Sequence, residues 1–473
     1  MGDKVIQPIR IAVWGTGAAA EALCAAASAR RVEIVGFFDN DASRWGGRLR
    51  DRPIFSHAEL SRYRALPVIV TSRTFAPVIR QLAAAGFDPD QIFDYYGDRR
   101  RVAGLLGFAD TLVRSRYSVQ DGVLVSAEER LSLTVMEDDL PCPRPLEEQQ
   151  AVVRKTTDAY VAADRDREGI PQEYRVGIRW QEILDVTRKE LNAAIACADI
   201  DSVCGLLGNY FRTDIGGDMG GGQALYEWFR REKLDSAVRH NFEVWLRSTG
   251  GSVAIEEVAF PPIGNPYGFR IDGALITGDA FLNHCRAYNA RQLLQGLERP
   301  VVAEIGGGYG GFAYYFTNVS AGSVYIDFDV PENLLIASYF LSLALPHKRI
   351  YLYQPGVREV SDELLAEYDI LLLPNFMLPA LSAHSVDYFQ NTVSFSEMEY
   401  ATVAEYFRQI ERVCRGYFYQ ENLGVAPRYK GFPIDAFPPL NGFRRLYRGI
   451  SRWSGWDAYA GERSYLEELY VRS

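Results

Sequence analysis

Val301 to Ile305 is a short, β-branched apolar run that leads straight into Gly306-Gly307-Gly308-Tyr309-Gly310-Gly311. A strand delivered into so many glycines must turn sharply, and without Cβ atoms that turn lets another molecule approach the backbone closely. A helix over about 311–318 follows, then a second strand from Ser323 to Phe328 that ends at Asp329, 23 residues after Gly306. Strand, glycine turn, helix, strand and acid form the first half of a doubly wound α/β unit. Free amides at the helix start face a ligand held by the turn. The acid at the second strand's end can accept from two vicinal ribose hydroxyls. Asp327, on the same strand face by alternation, competes with Asp329 for that role. Further strands are expected at 350–353, 369–373, 386–391 and 416–420, with a helix at 399–413.

The same arrangement opens the chain. Residues 9–14 (IRIAVW) end in Gly15-Thr16-Gly17, an Ala-rich helix follows, and a strand from Glu33 to Phe38 ends at Asp39-Asn40-Asp41. A third strand spans Pro67 to Thr71. Ala20 stands where a third glycine would complete a dinucleotide fingerprint. About 100 residues are too few for a full dinucleotide domain, so this unit reads as a non-catalytic module, either ligand-binding or structural. Between the two units, apolar residues recur at helical spacing in 176–198, 201–212, 224–247 and 279–297. Asp199 or Asp201 is placed to cap the second of these. Irregular stretches separate them: 140–145, 261–268, and 216–222 with five glycines in seven positions, which reads as a lid or a slack connection. The expected class is α/β: two Rossmann-like doubly wound units (1–100 and 299–473) separated by a mainly helical middle region (101–298).

Composition narrows the partners. With 51 Lys+Arg against 61 Asp+Glu the net charge is −10, which argues against nucleic acid. The clusters Arg99-Arg100-Arg101 and Arg444, Arg445, Arg448 read as solvated faces. No run approaches the roughly 18–20 apolar residues of a membrane helix, and the segment 18–29 reads as a domain helix, not a secretory signal. A cytoplasmic chain without a membrane partner is expected. Six cysteines stand at 24, 142, 197, 204, 285 and 414 with no C-x-x-C, which reads as reduced, buried thiols and no metal site.

Several stretches together resemble one family: Pro262-Ile263-Gly264-Asn265-Pro266, VVAEIGGGYGGFAYYF (301–316), YIDFDVPENLLIASYFLS (325–342), VDYFQNTVSFSEMEYATVAEYF (386–407) and YLEELYVR (465–472). Over roughly 175–473 the chain resembles the sugar O-methyltransferases that depend on S-adenosylmethionine. The stretch 35–49 (VGFFDNDASRWGGRL) is similar to amino-terminal domains on sugar-modifying enzymes. The resemblance implies S-adenosyl-L-methionine as cofactor and a small-molecule sugar acceptor, free, nucleotide-linked or glycosidic. It implies that Glu304, Gly306 and Gly308, with Tyr309 in the same turn, shape the amino-acid end of the cofactor pocket. Asp329, or Asp327, would hold the ribose. Asn375 would lie near the adenine, and Asn391 with Ser394 to Glu397 at the carboxyl edge of a later strand.

Methyl transfer to a hydroxyl is an in-line displacement that gains mostly from alignment and from a general base. Glu397 is one candidate base, equally readable as a helix-terminal acid. His284 is the other, equally readable as a core histidine. His57, His240, His347 and His384 have no supporting context. Two other functions remain open: an NAD(P)-dependent oxidoreductase or epimerase using the first unit, although S/T-x-x-x-Y-x-x-x-K is not apparent after Asp39, and a non-catalytic assembly protein. The oligomeric state is open, a homo-oligomer included.

Overall fold

A computed structural model describes residues 8–28, 32–72, 75–95, 99–106, 118–120, 123–125, 130–217, 219, 221–232, 241–242, 244–246, 248–249, 251–424, 432–451 and 465–473. The first unit is a six-stranded sheet of β1 (Ile9–Trp14), β2 (Val32–Asp39), β3 (Arg48–Leu49), β4 (Arg52–Ser56), β5 (Val68–Val70) and β6 (Ile92–Asp94), in the order β3-β4-β2-β1-β5-β6. Apart from the antiparallel β3–β4 pair its neighbours run parallel. The central strands are buried apolar runs over Ile11–Trp14 of β1 and all of β5, as both faces of a parallel sheet require.

The middle region is mainly helical, and it also contains a sheet the sequence did not reveal. Strands β7 (Ser118–Gln120), β8 (Val123–Val125), β9 (Arg130–Met136), β10 (Gly268–Ile271) and β11 (Ala274–Ile276) form an antiparallel sheet in the order β11-β10-β9-β8-β7. Gly268 pairs with Met136 and Ile271 with Leu133, joining segments more than 130 residues apart. The long helix Leu146–Asp166 is also new. The helix expected over 176–198 is two, Ile178–Thr187 and Lys189–Ala196, broken at Arg188. Arg188 leaves helical geometry because its fully buried guanidinium donates to Thr187 Oγ1 (2.9 Å), the Ile215 carbonyl and Asn333 Oδ1 (3.2 Å). Asp199 caps the next helix, Ile200–Leu207, by accepting from the Ser202 amide at 3.0 Å. Of the span 224–247, Gln223–Glu232 is helical, and residues 233–240, His240 among them, lie outside the described residues.

The carboxy-terminal sheet has eight strands: β12 (Val301–Ile305), β13 (Val324–Asp329), β14 (Ile350–Leu352), β15 (Ile370–Pro374), β16 (Val386–Thr392), β17 (Cys414–Leu423), β18 (Phe443–Ile450) and β19 (Tyr465–Arg472). Their order is β14-β15-β13-β12-β16-β17-β19-β18, with β19 antiparallel to both neighbours. Connections from β12 run one way and those to β16 the other. The crevice between their carboxyl ends is therefore the switch point where doubly wound sheets bind ligands.

Three arginines of the two clusters, Arg101, Arg445 and Arg448, are engaged and not simply solvated. Arg445 reaches Asp90 (3.1 Å) and Glu468 (3.3 Å), Arg448 reaches Glu468 (3.2 Å) and Asp435, and Arg101 donates to the Arg448 carbonyl at 2.9 Å. They tie the first unit to β18 and β19, where Phe75 also packs edge-on against Tyr447. No disulfide links the six cysteines. Cys24, Cys204, Cys285 and Cys414 are buried, but Cys197 is exposed, so not every thiol is sequestered. Among the described residues no helix is long and apolar enough to cross a membrane.

Candidate functional site

The turn after β12 is built against carboxylates. Gly306 has φ +77°, and a Cβ there would lie 2.5 Å from Ser394 Oγ, so the position takes glycine on both counts. A Cβ on Gly307 would lie 2.6 Å from both Asp327 carboxylate oxygens. The Gly307 amide donates to Asp327 Oδ1 at 3.2 Å, and the Gly308 amide to Asp329 Oδ2 at 3.0 Å. Asp329 Oδ1 accepts from the Val330 amide (2.7 Å) and from Asn333 Nδ2 (3.2 Å). Asp327 is fully buried, and its Oδ2 has no hydrogen-bond partner among the described residues. Burial, then the charges of Asp329 and Glu304, raise the Asp327 carboxyl well above the usual carboxylate range.

The other expected site residues separate into those at the turn and those that support it. Glu304 lies beneath the turn with both oxygens in use, accepting from Tyr325 (2.6 Å) and Gln390 (2.8 Å), and burial raises its pKa. It acts on the site through its charge, not by contact. Asn391, fully buried at the end of β16, donates to the Ile305 carbonyl (3.0 Å) and to Ser394 Oγ (2.6 Å), and so fixes β16 and Ser394 against the turn. Val393 between them has φ +69°, a costly conformation for a β-branched residue, held by its amide's bond to the Glu421 carbonyl at 2.6 Å. Glu397 ends the 3₁₀ turn Ser394–Glu397 on this carboxyl edge and is half-buried.

Three expectations are corrected. Asn375 sits at the carboxyl end of β15, but its side-chain amide donates to the Tyr174 carbonyl (2.8 Å) and Tyr406 Oη (2.9 Å) and accepts from the Phe376 amide, which makes it a structural tie. His284 has no exposed surface. It accepts from Trp245 Nε1 at 3.0 Å, packs against Tyr315, and burial pulls its pKa down to about 4, so it is a neutral core histidine out of reach of an acceptor. The Tyr309 side chain leaves the turn and donates to Asp279 Oδ2 at 2.7 Å.

Other residues at the site left no signal in the sequence. Asn333 lies one helical turn from Asp329 and connects it to Arg188, which in turn holds the Ile215 carbonyl. Within the glycine-rich stretch after Ile215, Gly216, Gly221 and Gly222 are buried, and Met219 packs 3.7 Å from where a Gly308 Cβ would stand. Asp218 and Gly220 are outside the described residues.

In the first unit, Thr16 donates to Asp39, and Arg44 contacts both Thr16 and Asp39 (3.9 Å to the carboxylate). Residues 8–93 match a family model described as C2185-like, N-terminal. No curated protein matches the chain. Among solved structures, the chain is similar to a SAM-dependent methyltransferase from Aquifex aeolicus (14% identity, 39% of this chain, 89% of that one, TM-score 0.26). It is also similar to a geranyl diphosphate methyltransferase in complex with SAM (11% identity, 40% and 85%, TM-score 0.30). A third is TrmN from Thermus thermophilus (15% identity, 40% and 49%, TM-score 0.27). Scores this low leave the chemistry to be argued from the residues.

Proposed function

We propose that the chain is an S-adenosylmethionine-dependent methyltransferase acting on a sugar hydroxyl. The observation that carries the cofactor class is the charge at the turn. Asp327, Asp329 and Glu304 crowd a glycine turn at the switch point of the sheet, and both turn amides already donate to carboxylates. A pyrophosphate brought there would find both turn amides taken and the Asp329 carboxylate beside it, whereas a sulfonium and an ammonium would be drawn to that carboxylate. The residues fit such a group: Asp329 would accept from the ribose hydroxyls, while Asp327 Oδ2 and the backbone of Gly306 and Gly308 would border its amino-acid end. When bound, S-adenosylmethionine supplies a methyl carbon activated by its sulfonium. The chain's part is to fix the acceptor oxygen in line with that carbon, exclude water and receive the hydroxyl proton. The resemblance of residues 175–473 to sugar O-methyltransferases supports the acceptor class.

Calorimetric titration with S-adenosylhomocysteine, NAD⁺ and NADP⁺ tests the reading. Micromolar binding of the homocysteine compound, lost in Gly306→Val, is expected. Binding of the nicotinamide cofactors alone would overturn it and move the active site to residues 9–41.

A further inference from the structure

The motif Pro262-Ile263-Gly264-Asn265-Pro266 has no part in the cofactor turn, yet it is fastened at many points. Asn265, at φ +57°, donates from Nδ2 to Asn209 Oδ1 (2.7 Å) and Asp139 Oδ1 (3.0 Å) and accepts from the Leu140 amide (2.8 Å). The Arg212 guanidinium, itself buried, donates to the Asn265 carbonyl (2.9 Å) and the Pro266 carbonyl (3.1 Å). Gly264 lies flat against the Tyr210 ring, where a Cβ would stand 2.1 Å from a ring carbon. This clamp holds two tyrosines, Tyr210 behind the turn and Tyr267 just after it. Tyr210 has no exposed surface and Tyr267 8%, and neither hydroxyl has a hydrogen-bond partner among the described residues. Buried polar groups are nearly always paired, so the Tyr267 hydroxyl, the one of the two that keeps some exposed surface, calls for a partner.

Both hydroxyls feel Asp279 more than any other charge. Asp279 is half-buried at the start of the helix Ala280–Leu293 and accepts from Thr277 Oγ1 (2.9 Å), Asn283 Nδ2 (3.0 Å) and Tyr309 Oη (2.7 Å). Tyr309 directly follows Gly308 in the cofactor turn, and its ring packs 6.3 Å from that of Tyr210. A carboxylate, two unpaired phenols and aromatic faces thus adjoin the place where the methyl donor is read to bind.

We infer that the acceptor is held by Tyr267 at Asp279, and that Asp279 is the base that takes its hydroxyl proton. This rests on the methyltransferase reading above. Another hydroxyl of the acceptor would pair with the Tyr267 phenol, and its apolar ring face would lie on the aromatic rings, a combination that suits a pyranose. As the acceptor oxygen forms its bond to the methyl carbon, the carbon–sulfur bond breaks with its electron pair going to sulfur. The hydroxyl proton passes to the Asp279 carboxylate and from there to water. Burial lifts that carboxyl above its ordinary range, in the direction that improves a base working near neutral pH.

The test uses the full-length protein with the methyl glycosides of glucose, galactose and rhamnose as probes. Labelled S-adenosylmethionine reports transfer, saturation-transfer NMR without cofactor reports glycoside binding, and calorimetry with S-adenosylhomocysteine reports the cofactor site. We expect label on at least one probe and a turnover about 100-fold lower in Asp279→Asn, with homocysteine-compound affinity kept within about threefold. Tyr267→Phe should weaken the NMR signal of that probe and leave the cofactor titration unchanged. If Asp279→Asn does not fold, Tyr309→Phe, which removes only one hydroxyl, should lower turnover about tenfold. The inference is overturned by label on none of the probes, by full turnover in Asp279→Asn, or by a loss confined to Glu397→Gln. Wild-type protein that binds the homocysteine compound but labels no probe sinks the acceptor site alone, whereas absence of that binding sinks the parent reading as well.

Discussion

Replacing Asp329 with alanine is the sharpest probe of the cofactor reading. The carboxylate is 7% exposed, so solvent screens its bonds little. A charge-assisted pair of hydrogen bonds to vicinal hydroxyls is worth roughly 1.5–3 kcal/mol, which is about ten- to a hundredfold in affinity. Two local effects pull against each other. The substitution leaves the Gly308 amide and Asn333 Nδ2 without their acceptor. It also removes one of the charges that, after burial, raise the Asp327 carboxyl, which shifts Asp327 toward ionisation and against the loss. We therefore expect about a tenfold loss for S-adenosylhomocysteine, measured by calorimetry on protein shown to be folded by its unfolding curve. The homocysteine compound lacks the sulfonium charge, so its loss reads the hydrogen bonds. The extra loss for S-adenosylmethionine reads the field. Unchanged affinity for both ligands in folded Asp329→Ala would refute the assignment and move the ribose contact to Asp327.

Three further outcomes follow from the charges already described. Because Asp327 is raised in the folded state above its ordinary value, its contribution to stability is present at low pH and is lost as pH rises through the folded pKa. Asp327→Asn should therefore gain on the wild type between pH 5 and pH 8 in urea unfolding, and an unchanged difference would refute this. His284 has the opposite sign: folded near 4 against an ordinary 6.5, it costs up to about 3 kcal/mol as pH falls through that window. His284→Phe should lose that acid sensitivity while keeping turnover per folded molecule, and a variant just as acid-sensitive would show that the histidine is not the cause. Arg448→Ala leaves the buried Glu468 with one cation fewer and should cost about 2 kcal/mol, whereas Asp90→Ala, removing an exposed partner, should cost under about 0.5 kcal/mol, both read from urea midpoints.

What the sequence made legible is what is local. Both glycine turns, their strands and their terminal acids are set by a few consecutive residues, and the helix cap at Asp199 needs only Ser202. The middle sheet was hidden because β10 is only four residues long and meets β9 only through a register spanning more than 130 residues. The helix Leu146–Asp166 escaped notice because its buried side is Val153, Thr156, Tyr160, Ala162 and Ala163, too small and polar to give an apolar period. The arginines of β18 read as solvated since Glu468, Asp435 and Asp90 are distant in sequence. For the site the same division holds. Asp329 follows from spacing, whereas Arg188, Asn333 and Asp279 depend on which side chains three separate segments bring together.

Two glycine turns of like architecture in one chain differ in charge, and that difference separates the competing functions. At the first, Arg44 lies 3.9 Å from Asp39 and 3.3 Å from Asp41, so the acid ending β2 is paired with a cation. At the second, Asp327 stands among acids, its carboxyl raised by burial and then by the charges of Asp329 and Glu304. A phosphate-bearing nucleotide is repelled less by the first turn, and a sulfonium is drawn more by the second. If NAD⁺ binds this protein at all, its binding should therefore survive Gly306→Val and be lost in Gly15→Val, where a side chain at φ +102° would stand 2.8 Å from Thr71 Oγ1. S-adenosylhomocysteine should show the reverse dependence. Loss of both ligands in one of these folded variants, with neither affected in the other, would mean that charge does not sort them and that a single turn serves both.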